Sequence, residues 1–304
     1  MSRPVKHAAS MKLWRNSTLK LKKYCALAAL GFAGSASAHH LKITTWNLDW
    51  LTERPAHDAA LPDDVARRDP NDFDRLARYA RQLDSDVIGI EEVDGAQVAQ
   101  RVFPTDRYRL IVSWEPIVQR VGLVVRRDIQ AEINPELTDL NVYDSSASHP
   151  LRAGLDVTLT DGQTRFRVLV VHLKTGCWDQ PLNERGHSCP ILKRQFAVLD
   201  NWVLERQDEG VPFIVLGDFN RRLTENDPLM HLLNADAPML LTTAGRASPC
   251  WGGEYFIDHI LLGGIAKSWL VPDSLRVMNY RGAQEADRAS LSDHCPVSVR
   301  LDLP

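Results

Sequence analysis

Cysteine is scarce in this chain, and so are long apolar runs and acidic residues near its start. Five cysteines are spread over 304 residues, and their spacings match no common zinc pattern. No apolar stretch approaches the roughly 20 residues a membrane-crossing helix needs, which excludes stable membrane insertion. Between residues 41 and 304 there is no internal repeat, low-complexity tract or Gly/Ser linker, which argues against a solenoid or a beads-on-a-string arrangement. With 44% hydrophobic and 25% charged residues, the chain is large enough for one big domain or two small ones.

Acid is missing altogether from residues 1–38, which hold seven bases: Arg3, Lys6, Lys12, Arg15, Lys20, Lys22 and Lys23. A short apolar stretch from Tyr24 to Phe32 follows and ends in the small residues Ala33 to Ala38. This order is that of a secretory signal cut after Ala38, leaving residues 39–304 as the working domain. The alternative is a membrane anchor, but about ten apolar residues are too few to span a bilayer. The protein is therefore expected in the periplasm or outside the cell, as a monomer.

Cleavage leaves 29 bases against 39 acids, so a polyanion is not drawn in by global charge. Binding one must rely on a local cationic patch or a metal ion. Cleavage also leaves four cysteines, and an even number in an exported chain suggests two disulfides. Cys177 and Cys189 bracket a short loop, so that pairing is the simplest and leaves Cys250 with Cys295. A zinc site built from Cys177, His187 and Cys189 is the alternative.

Periodicity predicts strands over Leu41–Asn47, Val87–Ile90, Tyr108–Ser113, Val121–Arg126, Leu155–Leu159, Phe166–His172, Phe213–Leu216, Phe256–Leu262 and Val297–Leu301. Helical spacing marks Asn71–Leu83, Gly95–Val102 and Ile191–Arg206. The polar stretch Thr52–Pro70 reads as a loop, and Thr160-Asp161-Gly162 as a turn. Strands outnumber helices and helices separate groups of strands, which fits an α/β sandwich of two sheets with helices outside.

Six chemically loaded strings run through this pattern: TTWNLDW (Thr44–Trp50), GIEEVD (Gly89–Asp94), VVHLKTG (Val170–Gly176), LGDFN (Leu216–Asn220), FIDHILL (Phe256–Leu262) and LSDHCPV (Leu291–Val297). Most place a carboxylate, amide or imidazole at the end of an apolar run, as strand ends do when they feed one cleft. Asn47 and Asp49 share a face; read alone, they are a turn asparagine and a capping aspartate. Glu92 shares its face with Asp94, whereas Glu91 is expected to point away. His172 ends its strand beside Lys174 and Thr175, a cation and a hydroxyl suited to a phosphate oxygen. Asp218 and Asn220 follow a glycine that breaks a buried strand; an Asx-turn is the plainer reading. Asp258 can reach His294 across strands, fixing its tautomer and raising its basicity, and this leaves Asp293 free. Such an oxygen-rich set suits a hard divalent cation and phosphate ester hydrolysis.

Together these strings resemble the endonuclease/exonuclease/phosphatase superfamily, in that family's own order over about residues 41–302. The resemblance implies a four-layer α/β/β/α sandwich of two mixed sheets packed face to face, a Mg²⁺ or Mn²⁺ cofactor, and hydrolysis of phosphate esters. It implies that Asn47, Asp49, Glu92 and Asp293 surround the metal, and that Asp218 and Asn220 orient water and phosphate. It further implies that His294, backed by Asp258, is a base or charge stabiliser and that His172 contacts the phosphate or aids the leaving oxygen. Three positions depart from the family pattern. Glu91 stands where a glutamine is common, Gln119 where a glutamate supports the first histidine in deoxyribonuclease, and His259 where many members have tyrosine.

The expected activity is that of a DNA or RNA endonuclease, the alternative being a phosphatase or a lipid phosphodiesterase of sphingomyelin type. A phosphorylated small molecule or a lipid head group would then be the partner in place of nucleic acid. Arg120, Arg152, Lys174, Arg221 and Arg222 are candidate phosphate contacts, and Trp178 and Trp251, each beside a cysteine, are candidate base-stacking faces.

Overall fold

A computed structural model describes residues 39–304, apart from Ala56, Ser145, Ser146 and Ser148. The signal expected over residues 1–38 lies outside the described residues. Among the described residues, no helix is long and apolar enough to cross a membrane.

In chain order the first elements are β1 (His39–Leu51), α1 (Pro70–Leu83), β2 (Val87–Val93), α2 (Ala96–Ala99), β3 (Tyr108–Val112), β4 (Arg120–Arg126) and β5 (Gln130–Ile133). Next come β6 (Leu155–Asp161), β7 (Thr164–His172), α3 (Cys189–Asp208), β8 (Phe213–Asp218) and α4 (Pro228–Leu233). Last are β9 (Leu240–Leu241), β10 (Ala247–Ser248), β11 (Glu254–Tyr255), β12 (Asp258–Gly263), β13 (Arg276–Val277) and β14 (Val297–Leu303). One six-stranded sheet has the order β13-β14-β1-β2-β4-β3 and the other β5-β6-β7-β8-β12-β9, with β10 and β11 forming a separate pair. Both large sheets are mixed: β1 pairs parallel to β2 and β7 parallel to β8, among otherwise antiparallel neighbours.

Alternation places one side of each sheet in a shared core. Ile43, Val87, Leu123 and Val125 of the first sheet meet Leu155, Val168, Val170, Ile214, Leu216 and Ile260 of the second. The outer faces are covered by helices. Phe73, Leu76, Ala80 and Leu83 of α1 pack on Trp46, Ile88 and Ile90, and Phe196, Leu199, Trp202 and Val203 of α3 pack on Leu169, Val171 and Val215. Each such buried side chain contributes roughly 1.5–3 kcal/mol. The result is the expected four-layer α/β/β/α sandwich. The start of α1 is set by Pro70 behind the N-cap Asp69, whose carboxylate accepts from the Asp72 amide in a reciprocal capping box.

Differences from the expected elements lie where periodicity is weak. The strand β1 continues past Asn47 to Leu51 through a register shift. The turn after β6 falls at Gly162-Gln163, one residue late, because Gly162 takes φ +59°. The helix expected over Gly95–Val102 shrinks to the single turn α2. The missed β9, β10, β11 and β13 have two residues each, too few to show a period, and β5 is largely exposed along its length. One glycine is obligatory. A Cβ at Gly217 would sit 1.9 Å from the Val171 carbonyl oxygen, and its φ is +143°, so only glycine lets β8 lie against β7 just before Asp218.

Candidate active site

Register brings the polar strand ends level with one another. His172 of β7 sits opposite Asp218 of β8, and Asp218 sits opposite Asp258 of β12. In the other sheet Asn47 of β1 sits opposite Glu91 of β2. The two sheets meet where the Asn47 amide donates to Asp218 Oδ2 at 3.2 Å and to Glu92 Oε1 at 3.2 Å. Groups from chain segments 171 residues apart therefore converge on one edge of the sandwich.

Backbone strain concentrates there. Asp49, Trp50, Glu92 and Asn220 all have φ between 47° and 59°, a region that costs a non-glycine residue of order 1–3 kcal/mol. At Glu92 this conformation accompanies a register shift between β2 and β4. Simple alternation consequently fails, and Glu91 does not point away as expected. It is fully buried, accepts from Thr45 Oγ1 at 3.0 Å and leaves its second oxygen without a partner. Burial, with Asp258 and Asp218 nearby, holds its carboxyl well above the usual range. The expected companion Asp94 instead binds Thr52 and Arg54.

Glu92, Asp49 and Asp293 form an acidic group. Burial pushes the Asp49 carboxyl up to about 7, and the charges of Asp293 and Glu92 add to the effect. Carboxylates crowded in this way are what a divalent cation relieves, and oxygen donors suit Mg²⁺ or Mn²⁺. The residues present thus fit such an ion. Asn47 Oδ1 accepts from the Asp49 backbone amide at 2.9 Å, so Asn47 orders the acids around it as well as offering an oxygen.

Beside this group stands a charge-paired histidine. His294 Nδ1 lies 2.9 Å and 3.0 Å from the two Asp258 oxygens, while its Nε2 is 3.9 Å from Asp218 and 3.7 Å from Asp293. Burial alone would lower the imidazole's pKa. The Asp258 carboxylate, by charge and hydrogen bond, outweighs burial and holds it well above the ordinary value. Burial pushes the Asp218 carboxyl up to about 7 against the opposing pull of His294. Ligand atoms of Asp218, Asp258 and His294 all lie within 4.8 Å of one another, so this triplet too has cation-binding chemistry. Asn220 aligns Asp218 from below: its backbone amide and side-chain nitrogen both donate to that carboxylate.

His172 is set differently. Its Nε2 is 3.6 Å from Glu92 and 3.6 Å from Asp218, and its buried Nδ1 has no partner, so Gln119 does not brace it. Burial, then Arg152, holds its pKa well below normal and keeps the ring neutral. Of the positive charges acting on His172, that of Arg152 is the strongest. Its Nη2 donates to the Leu173 carbonyl, its Nε is buried without a partner, and Glu92 and Asp218 lie in its field. Lys174 stands beside it, its ammonium on the Thr175 carbonyl.

Other predicted contacts are committed elsewhere. Arg120 donates to the carbonyls of Ile117 and Asp94. Arg221 is buried against Asp227 and the Cys177 and Gln180 carbonyls. Arg222 joins two rim loops through Asp179, Glu254 and the Trp178 carbonyl. Trp178 is exposed, but Trp251 is only half so, since its indole donates to the Ser292 carbonyl and its ring packs on Tyr280. His259 is a packing residue, bonded to Thr243 and the Arg221 carbonyl and set edge-on to Phe219. Both expected disulfides are present, Cys177–Cys189 and Cys250–Cys295, which removes the zinc alternative.

Sequence reasoning missed the frame. Arg68, from the polar loop, donates to four carbonyls: Leu48, Trp50, Ser290 and Leu291. Ser292 donates to the Asn47 carbonyl and accepts from the His294 amide. Tyr280 accepts from Trp46 and donates to the His294 carbonyl. These three tie the end of β1 to the Asp293–His294 loop. Their partners are mostly backbone atoms, and such contacts leave no pattern in a sequence.

Comparison with known proteins agrees with this geometry. Residues 44–294 match the Endonuclease/Exonuclease/phosphatase family. Truncated Caenorhabditis elegans TDP2 superposes with a TM-score of 0.57 at 15% identity, covering 86% of this chain and 98% of that one. The human Nocturnin catalytic domain with bound sulfate gives 0.56 at 15%, covering 86% and 92%. D. rerio TDP2 complexed with a single-strand DNA product gives 0.55 at 17%, covering 86% and 98%. At such identities these likenesses establish the fold. No curated protein sequence matches the chain. The family match spans every strand end that builds the site, and the chain belongs to the endonuclease/exonuclease/phosphatase family of divalent-metal-dependent phosphoester hydrolases.

Proposed function

We propose that this protein is an exported, Mg²⁺- or Mn²⁺-dependent phosphodiester hydrolase that cuts DNA or RNA internally. The observation that carries the reading is the convergence of Asp49, Glu92 and Asp293 beside the His294–Asp258 pair and Asp218. Asp49, Glu92 and Asp293, with Asn47, would hold the cation, which when bound neutralises phosphate oxygens and the leaving alkoxide.

The chain's own groups supply the rest. Asp218, with a carboxyl near 7, is matched to taking a proton from water at neutral pH. Asn220 fixes that carboxylate's direction. His294, kept protonated by Asp258, donates from Nε2 to an oxygen that gains charge as the bond to phosphorus forms. Neutral His172 faces the same space as a hydrogen-bond donor, and Arg152 and Lys174 offer cations to the phosphate. The signal expected over residues 1–38 and the two disulfides support export, and the DNA-bound fold relative supports a nucleic-acid substrate.

The test is the purified mature chain with Mg²⁺, assayed on plasmid DNA, RNA, sphingomyelin and a soluble phosphate monoester. Cleavage of a nucleic acid that EDTA abolishes is the expected result. Turnover of sphingomyelin or the monoester alone would replace the nuclease reading with a lipid phosphodiesterase or a phosphatase.

A further inference from the structure

Five large hydrophobic side chains stand exposed among the described residues: Trp114, Ile133, Trp178, Tyr255 and Ile265. Two of them, Trp178 at 42% and Tyr255 at 66% exposure, line one cleft of about 340 Å³ together with Asp258, Asp293 and His294. Each sits on a rim loop fastened near its base by a disulfide. Trp178 follows Cys177, which is bonded to Cys189, and the β10–β11 hairpin carrying Tyr255 contains Cys250, bonded to Cys295. Arg222 spans the two loops, its amide on the Trp178 carbonyl and its guanidinium on Asp179 and Glu254. The loops that carry the rings are therefore fastened before any ligand arrives, which lowers the entropic cost of using them.

The chemistry of this rim selects its ligand. Asp179 lies next to Trp178 and Glu254 next to Tyr255, both ion-paired to Arg222. Seating the rings in a bilayer would strip water from those charges, which is costly. A nucleobase asks for the opposite arrangement, an apolar face for its ring and polar groups around its edge. Arg222 Nε is buried without a partner, a donor suited to a phosphate oxygen of the same strand. Bases paired within a duplex keep their faces stacked on each other, so only unpaired bases can use these rings.

We propose that Trp178 and Tyr255 are stacking residues that make single-stranded polynucleotide the substrate, holding bases next to the phosphodiester presented to His294. This rests on the nucleic-acid reading above and narrows it. The experiment measures KM and kcat on four ligands: a short DNA single strand, its RNA counterpart, the matching DNA duplex, and the same DNA strand built with abasic sugars. Wild type is expected to prefer either single strand over the duplex at least tenfold in kcat/KM. Trp178→Ala and Tyr255→Ala are each expected to raise KM on base-bearing single strands roughly ten- to hundredfold, as loss of a stacking face does. Turnover on the abasic strand should change less than about twofold, because it has no bases to lose. Trp178→Phe and Tyr255→Phe should restore most of the loss. Equal losses on abasic and base-bearing strands, or a duplex cut as fast as a single strand, overturn the stacking role while leaving the hydrolase reading intact. A wild-type enzyme silent on all four strands overturns both. The DNA and RNA arms show which sugar the rim accepts.

Discussion

At the scale of single residues, the proposed reaction divides its work between two aspartates and a histidine by their environments. Asp258 clamps one nitrogen of His294, leaving the other to face Asp218 and Asp293. Removing either reacting group should slow turnover without unfolding the chain. His294→Ala and Asp218→Ala are expected to lower kcat by roughly 10²–10⁴-fold, the usual cost of losing a positioned acid or base. Near-normal kcat in either purified variant contradicts the assigned roles. His259, next to Asp258 in sequence, has a different fate. Burial depresses its pKa to about 4, so it is neutral in the fold, whereas an unfolded chain would protonate it near 6.5. Its contribution is fully present above about pH 6.5 and is lost as pH falls toward 4, a range worth on the order of 3 kcal/mol. His259→Gln should flatten the acid side of the stability profile in urea titrations relative to wild type. Superimposable profiles would show that the ring is not held neutral.

At the scale of elements, the site is an edge where strand ends meet loops, and the loops need fastening. The segment Ser290–Cys295 is held by Arg68, Ser292, Tyr280, Trp251 and the Cys250–Cys295 bridge. Replacing both Cys250 and Cys295 with serine is expected to cost about 2–4 kcal/mol of stability. It should also lower kcat, because His294 adjoins Cys295. The Cys177/Cys189 double serine variant should lose comparable stability but less kcat. Equal kcat losses in the two variants would mean that the second bridge does not position His294.

Elements also show which features a sequence reveals. The break at Gly217 before Asp218 was readable, since a buried run that stops at glycine and then carries an acid is rare. So was the Asp258–His294 reach, which followed from strand ends. Glu91 was misplaced because alternation assumes an unbroken ladder, and the left-handed backbone at Glu92 breaks it. Arg68 gave no signal at all: its four acceptors are main-chain oxygens, identical in every residue type.

At the scale of the whole molecule, the sandwich presents a few local cations on an acidic body. With 29 bases against 39 acids in residues 39–304, nothing global attracts a polyanion. Among the described residues, Arg152 and Lys174 flank the acids, and Arg222, through its unpartnered Nε, is the rim cation assigned to a phosphate. About three contacts predict a shallow salt dependence, with log(kcat/KM) on a single strand falling with log[salt] at a slope of about −2. A slope of −6 or steeper would demand many more phosphate contacts than these three cations supply.

The proposed cation site joins Asp49 and Glu92 of one sheet to Asp293 of the loop before β14, and it serves His294. The most direct check is turnover of a DNA strand against Mg²⁺ concentration, in wild type and in Glu92→Gln. Wild type should be silent in EDTA and saturate with Mg²⁺, whereas Glu92→Gln should need at least about tenfold more Mg²⁺ and reach a lower maximum rate. Activity that survives EDTA, or a Glu92→Gln curve that overlays the wild type, would contradict it.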